Sequence, residues 1–157
     1  MAGIPITDVQ NTKVYLCAKG TAVTTPANAA TAIAAGKEVM YLQELGDISE
    51  TKTVTTYSAI SASDTQKSIG ALAFGNFSLN VLYDAADVKG QADMVTMWEN
   101  GERRQLVIKM TDGTTSPTYV TFEIALSAQT MSMPKDGAVM YNNTAEQCSK
   151  RVVIKAV

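Results

Sequence analysis

From Gly75 to Tyr83 the side chains alternate without a break. Phe77, Leu79, Val81 and Tyr83 fall on one side, and Ser78 and Asn80 fall on the other. A period of two with one apolar face describes a half-buried β-strand. The pattern recurs from Thr118 to Ser127, where Val120, Phe122, Ile124 and Leu126 share a face and Tyr119, Thr121 and Glu123 share the opposite one. Gln105–Thr111 precedes this run, and the intervening DGTTSP supplies Asp112, Gly113 and Pro117 as turn residues. Thr130–Met133 extends the β pattern. Strands of this kind call for an antiparallel sheet with one face on a core. KVYLC at Lys13–Cys17 and KRVVIKAV at Lys150–Val157 read as further strands, the second a terminal one. Glu38–Leu45 is apolar on both sides, which reads as a central or doubly covered strand.

One stretch changes period. Asp87 is placed to cap a helix over Val88–Asn100, and Gly101 to end it. Val88, Ala92, Val95 and Trp98 form its apolar stripe. Trp98, Tyr41 and Tyr83 are expected in the core, with Met94, Met97 and Met110 as filler. A second, short helix is expected near Ala27–Ala35, inside an Ala- and Thr-rich insertion loop over 18–37. A chain of 157 residues suits one domain that buries about two-thirds of its unfolded surface. The expected architecture is mainly β: a single domain over 1–157, built as a β-sandwich or small barrel with one flanking α-helix.

The segment 46–73 fits none of this. It is rich in Ser and Thr with few large apolar residues, and Thr51–Tyr57 has high β propensity, yet within Thr51–Ser68 only Val54, Tyr57 and Ile60 could contribute to a core. A long segment without core residues reads as an extended arm that packs on something else.

Several function classes drop out. The net charge is −2 with no run of Lys or Arg, so the electrostatic footprint of a nucleic-acid binder is missing. With no histidine, the chain lacks the usual general base and the commonest metal ligand. Ser49–Lys52 matches a Ser-x-x-Lys pattern without its partner motifs, and Gly36-Lys37 lacks the flanking residues of a phosphate loop. Asp84, Asp87 and Gly90 miss calcium-loop spacing and read as helix entry. A carboxylate-dependent hydrolase using Asp84 and Asp87 is the alternative from the enzyme class. The reading is of no enzyme, no cofactor and no metal. Cys17 and Cys148 read as reduced, buried thiols. Met1–Val9 does not read as a signal peptide, and the apolar runs are too short to span a membrane as a helix.

Four runs carry a resemblance: YLQELGDISETKTVTTYS, KSIGALAFGNFSLNVLYD, ADVKGQADMVTMWENGERRQLVIKMTDGT and ALSAQTMSMPKDGAVMYNNTAEQCSKRVVI. In that order they give a strand entering a Thr-rich arm, an alternating strand, a helix feeding a hairpin, and a late strand, loop and closing strand. Over roughly Val39–Ile154 the chain resembles the tail tube (major tail) proteins of siphophages, and less closely the tube protein of type VI secretion. The resemblance implies a structural virion protein whose copies form six-membered rings that stack into a tube. It implies DNA crossing the lumen without specific binding, a tape measure protein inside, other tail proteins at the tube ends, and no membrane. Assembly would take place in the bacterial host cytoplasm and the product would be part of the virion tail. It implies that the arm contacts a neighbouring subunit or ring through Thr51, Lys52, Thr53, Val54, Thr55, Thr56, Tyr57, Asp64 and Lys67. One polar strand face would line the lumen: either that of Ser78 and Asn80, or that of Tyr119, Thr121 and Glu123.

Overall fold

The computed structural model describes residues 12–58, 60, 65–111 and 117–155. The chain forms β1 (Lys13–Cys17), α1 (Pro26–Ala35), β2 (Lys37–Glu38), β3 (Leu42–Leu45), β4 (Glu50–Ser58), β5 (Thr65–Phe74), β6 (Asn76–Leu82), α2 (Gly90–Asn100), β7 (Arg104–Met110), β8 (Thr118–Ser132), β9 (Met140–Gln147) and β10 (Val152–Lys155). Eight strands make one antiparallel sheet in the order β2-β1-β7-β8-β9-β6-β3, with β10 also on β8; β4 and β5 form a separate two-stranded ribbon.

The topology forces this sheet to curl. β2 and β3 lie at its opposite ends, yet only residues 39–41 separate them in sequence. That link reaches about 14 Å at most. The outer strands of seven laid flat would stand about 29 Å apart. The two ends therefore come together, and the Val39 N–H donates to the Val14 carbonyl at 2.8 Å. Glu38–Leu45 is accordingly not one central strand. It is two edge strands joined by a turn in which Tyr41 has φ 57°, and Tyr41 is exposed.

β9 and β10 are one interrupted strand along β8. β9 pairs with Ile124–Ser132 and β10 with Thr118–Thr121. At the break, the Glu123 N–H donates to Ser149 Oγ at 2.8 Å and the Cys148 N–H to the Glu123 carbonyl at 2.7 Å. β9, read from sequence as a loop, sits inside the sheet between β8 and β6.

The curled sheet encloses Val14, Leu16, Leu79, Val81, Leu106 and Phe122 among others, with Phe77 edge-on to Phe122 at 5.7 Å. Met94 and Met97 of α2 complete this core. The stripe Val88–Ala92–Val95–Trp98 is not the buried face: Val88 and Trp98 are exposed, and the helix buries Gln91, Asp93, Met94 and Met97. Polar anchors set that rotation. Gln91 Nε2 donates to the Leu82 carbonyl at 2.7 Å, its Oε1 accepts from the Asp84 N–H at 3.0 Å, and Asp93 pairs with Lys37 at 2.7 Å. A Cβ at Gly90 would collide with the Glu38 carbonyl oxygen, so the helix start lies flush on that backbone.

A second helix covers the other side of the sheet. Thr25 caps α1 through Oγ1, which accepts from the Asn28 N–H, and Pro26 opens its first turn. Ala29 and Ala32 pack with Cys17, Val23, Val107, Tyr119 and Ile154 in a separate cluster. The stretch 18–37, expected as an insertion loop with a short helix near Ala27–Ala35, carries that helix as α1, which packs on the sheet alongside the expected flanking helix.

Candidate assembly surfaces

The arm is the β4–β5 ribbon. Its nine- and ten-residue strands span roughly 30 Å, and no described residue in it is buried. Thr51, Lys52, Thr53, Val54, Thr55, Thr56, Tyr57 and Lys67 all lie on it, exposed; Asp64 is outside the described residues.

The ribbon has two unlike faces because of one irregularity. Lys52 pairs with Leu72 and Val54 with Ile69, so Gly70 and Ala71 together face Thr53. Such a bulge shifts the alternation by one residue. Ile69 and Leu72 would otherwise point to opposite sides. With the shift, Val54, Ile69, Leu72 and Phe74 share one face, along with Lys52 and Lys67. Thr51, Thr55, Tyr57, Gln66 and Ser68 occupy the other. Val54 and Ile69 are 55% and 68% exposed. Sequence reading missed Ile69, Leu72 and Phe74; Gly70 within a β-rich run was the available signal.

The ribbon's root is fastened. Glu50 Oε1 accepts from Gln147 Nε2 at 2.7 Å and from the Arg151 N–H at 2.6 Å. The Gly75 N–H donates to the Ser49 carbonyl at 3.0 Å. Burial pushes the Glu50 carboxyl pKa up, but these two hydrogen bonds and the charges of Arg151 and Lys150 outweigh it and hold the pKa below its ordinary value.

The two polar strand faces differ in burial. Tyr119 is buried in the α1 cluster. Thr121 is 1% exposed, its Oγ1 donating to the Leu106 carbonyl at 2.9 Å and accepting from Gln105 Nε2 at 2.6 Å. Both side chains are covered, Tyr119 by the residues of α1. Glu123, half-buried, has its backbone engaged at the β9–β10 break. Ser78 and Asn80 lie on an open half. Register places Glu44, Asn142, Thr144, Glu146 and Thr130 on the same face. Asn80 Nδ2 donates to Glu44 Oε2 at 2.7 Å, and Asn80 Oδ1 accepts from the Asn143 N–H at 3.1 Å. The pairing puts no Lys or Arg on this face of β3, β6, β9 and the far half of β8. The outer edge of β3 ends the sheet, and β8 beyond Ile124 has no β7 alongside it.

Where the curled ends of the sheet meet, a groove of about 890 Å³ remains, lined by Met40, Tyr41, Leu45, Ile48, Met110 and Val153 among others. The acidic pair Asp84 and Asp87 does structural work at the α2 entry. Asp84 Oδ1 accepts from the Ala86 N–H at 2.9 Å and Asp87 Oδ2 from the Gln91 N–H at 2.7 Å. Both cysteines are free. Cys17 is buried, with burial pushing its thiol up to about 11, and Cys148 is half-buried rather than fully so.

No protein-family model and no curated protein matches the sequence. Solved structures do match by shape. A chain of the SPP1 tail tube aligns with a TM-score of 0.69 at 10% identity, over 97% of this chain and 80% of that one. A chain of the PVC extracellular contractile injection system, from its sheath/tube terminator in the extended state, aligns with a TM-score of 0.70 at 12% identity, over 98% and 99%. A chain from the tail of an empty gene transfer agent particle aligns with a TM-score of 0.65 at 11% identity, over 94% and 98%. At such identities the likeness is one of architecture, and this chain has the fold of the subunits that build phage tails and contractile injection tubes.

Proposed function

We propose that the protein is a structural subunit of a phage tail tube, with no catalytic role. Its copies associate into stacked rings, six to a ring by analogy with the neighbours, around a hole through which DNA passes unbound. The ribbon carries this reading. An isolated hairpin is marginal in water, and this one leaves Val54, Ile69 and Phe74 exposed on one face, with Leu72 half-buried beside them. A neighbouring copy supplies the missing cover.

The open polar face suits the wall of the hole. Each phosphate neutralised by Lys or Arg strengthens DNA binding, and a face with Glu44 and Glu146 and no basic residue avoids that attraction. The free edge of β3 and the free far edge of β8 suit main-chain pairing between neighbours in a ring. The tape measure protein would occupy the same hole before ejection, other tail proteins would cap the tube, and assembly would occur in the host cytoplasm.

A second reading is a tube subunit of a contractile injection system, which the match to a PVC chain supports. The chain spans 99% of the PVC terminator chain but 80% of the SPP1 one. Co-purification with a sheath protein would support that reading, and sheathless tails would support the first. The shared claim is tested by concentrating the purified protein and imaging it by negative stain. Rings or hollow tubes are the expected outcome. A strict monomer at millimolar concentration, with or without tail fragments as seeds, would refute it.

A further inference from the structure

We infer that the segment 4–9 of the same chain docks into the groove at the seam of the sheet and closes the open end of the core. The inference concerns the single subunit and stands apart from the tube reading.

The groove is a mouth of the core. Its floor is Val14, Ile108 and Val120, which belong to the main core cluster, and its walls carry Leu42, Leu45 and Ile48, which are only partly buried against that cluster. Tyr41 and Val153 at the rim are 53% and 51% exposed. Side chains that face an unfilled gap lose their packing partners on that side. The wall is also pinned from behind. Tyr41 holds φ 57°, an unfavourable value for a residue other than glycine. Its carbonyl accepts from the Leu82 N–H at 3.0 Å, and the Met40 carbonyl accepts from Gln91 Nε2 at 3.4 Å. A wall fixed in this way leaves room for an added apolar segment.

The position and sequence of the chain before Thr12 name that segment. The described residues begin at Thr12, and Thr12 and Lys13 are themselves part of the groove wall. The residues just before them include Ile4, Pro5, Ile6 and Val9. From Thr12 the chain reaches about 20 Å back to Ile6 and about 27 Å back to Ile4, enough to fold across the groove. In an extended chain Ile4 and Ile6 are in phase with Val14 and Leu16, the buried side of β1. Pro5 has no N–H to offer a strand ladder, which suits a segment held by its side chains. A tether this short gives a millimolar effective concentration, so in a free subunit the chain's own groove outcompetes that of a second copy.

The experiment uses the dilute full chain. Ile6 is replaced by the photoreactive benzoylphenylalanine, and isotopically heavy and light subunits are mixed and irradiated. Cross-links from position 6 to residues 40–48 or to Val153 are expected, all within one chain. A probe at Arg103, beyond the far end of β1 and β7, should give about tenfold fewer to those residues. Heavy–light cross-links would place the segment in another copy and overturn the proposal, and cross-links to other parts of the chain would overturn it equally. A second measurement uses the double variant Ile4→Asp, Ile6→Asp. It should stay folded by circular dichroism and bind the apolar dye anilinonaphthalene sulfonate with several-fold brighter fluorescence than the wild type. A peptide of residues 2–10 should reverse that gain, and the same peptide with Ile6→Asp should not. Unchanged dye fluorescence in a folded variant would contradict the docking; if the variant does not fold, the cross-links decide.

Discussion

β5 and β6 are adjacent strands separated by a single residue, Gly75, and they behave oppositely. β6 buries Phe77, Leu79 and Val81 almost completely, while β5 has no buried residue along its ten positions. Both have the β-forming composition that makes strands. Only β6 has apolar residues at strict alternation and neighbours on both sides, β3 and β9, to hold it in a sheet. β5 has one partner, β4, and its apolar residues reach a common face only through the bulge. Strand formation and core formation are thus separate properties. A strand that has the first without the second leaves its apolar side chains for something outside the chain to cover, and the proposed cover is another copy.

Substitutions sharpen the contrast. Leu79→Ala and Phe122→Ala remove fully buried side chains from the core and should each cost about 2–5 kcal/mol in chemical denaturation of the monomer. A cost below 1 kcal/mol at either site would mean that the curled sheet does not close around them. Gly90→Ala comes next. Its added Cβ would meet the Glu38 carbonyl, so α2 must shift, at about 1–3 kcal/mol on the same assay. The ribbon should respond in the opposite sense. Replacing residues 53–71 by a tight turn should leave a folded monomer with an almost unchanged denaturation midpoint, and no assembly. Cooperative loss of the whole fold would place the ribbon in the core after all.

The smallest effect concerns the ribbon's root. The Glu50 carboxyl pKa is depressed, so its contribution is present above the ordinary carboxylate range and lost as pH falls through the lowered value. Exchange of the Arg151 amide proton should accelerate across that acid range in the wild type. In Glu50→Gln the step should vanish. An identical step in the variant would assign the titration to another group.

Much of this contrast was legible in the sequence. The alternation of β6 and β8 showed the core face, and the Ser- and Thr-rich composition of 46–73 showed an arm. β9 was not legible, because Asn142 and Asn143 favour turns by local propensity. In the structure the Asn143 amide donates to the Leu79 carbonyl at 3.0 Å and accepts from Gln129 at 3.1 Å, so tertiary hydrogen bonds override that preference. The rotation of α2 was hidden for a similar reason. Buried Gln91 and Asp93 hold the helix against the apolar stripe that spacing alone suggests. The two polar strand faces look alike in sequence; their difference in burial was hidden because α1, which covers Tyr119, comes from a distant part of the chain.

The most direct test is a reconstruction of the assembled tube at side-chain resolution. The account predicts a hole walled by the face of Asn80, Asn142, Thr144 and Glu146, with each ribbon lying on a neighbouring copy and Val54 and Ile69 covered. A wall dominated by Lys and Arg, or ribbons projecting free into solvent, would contradict it.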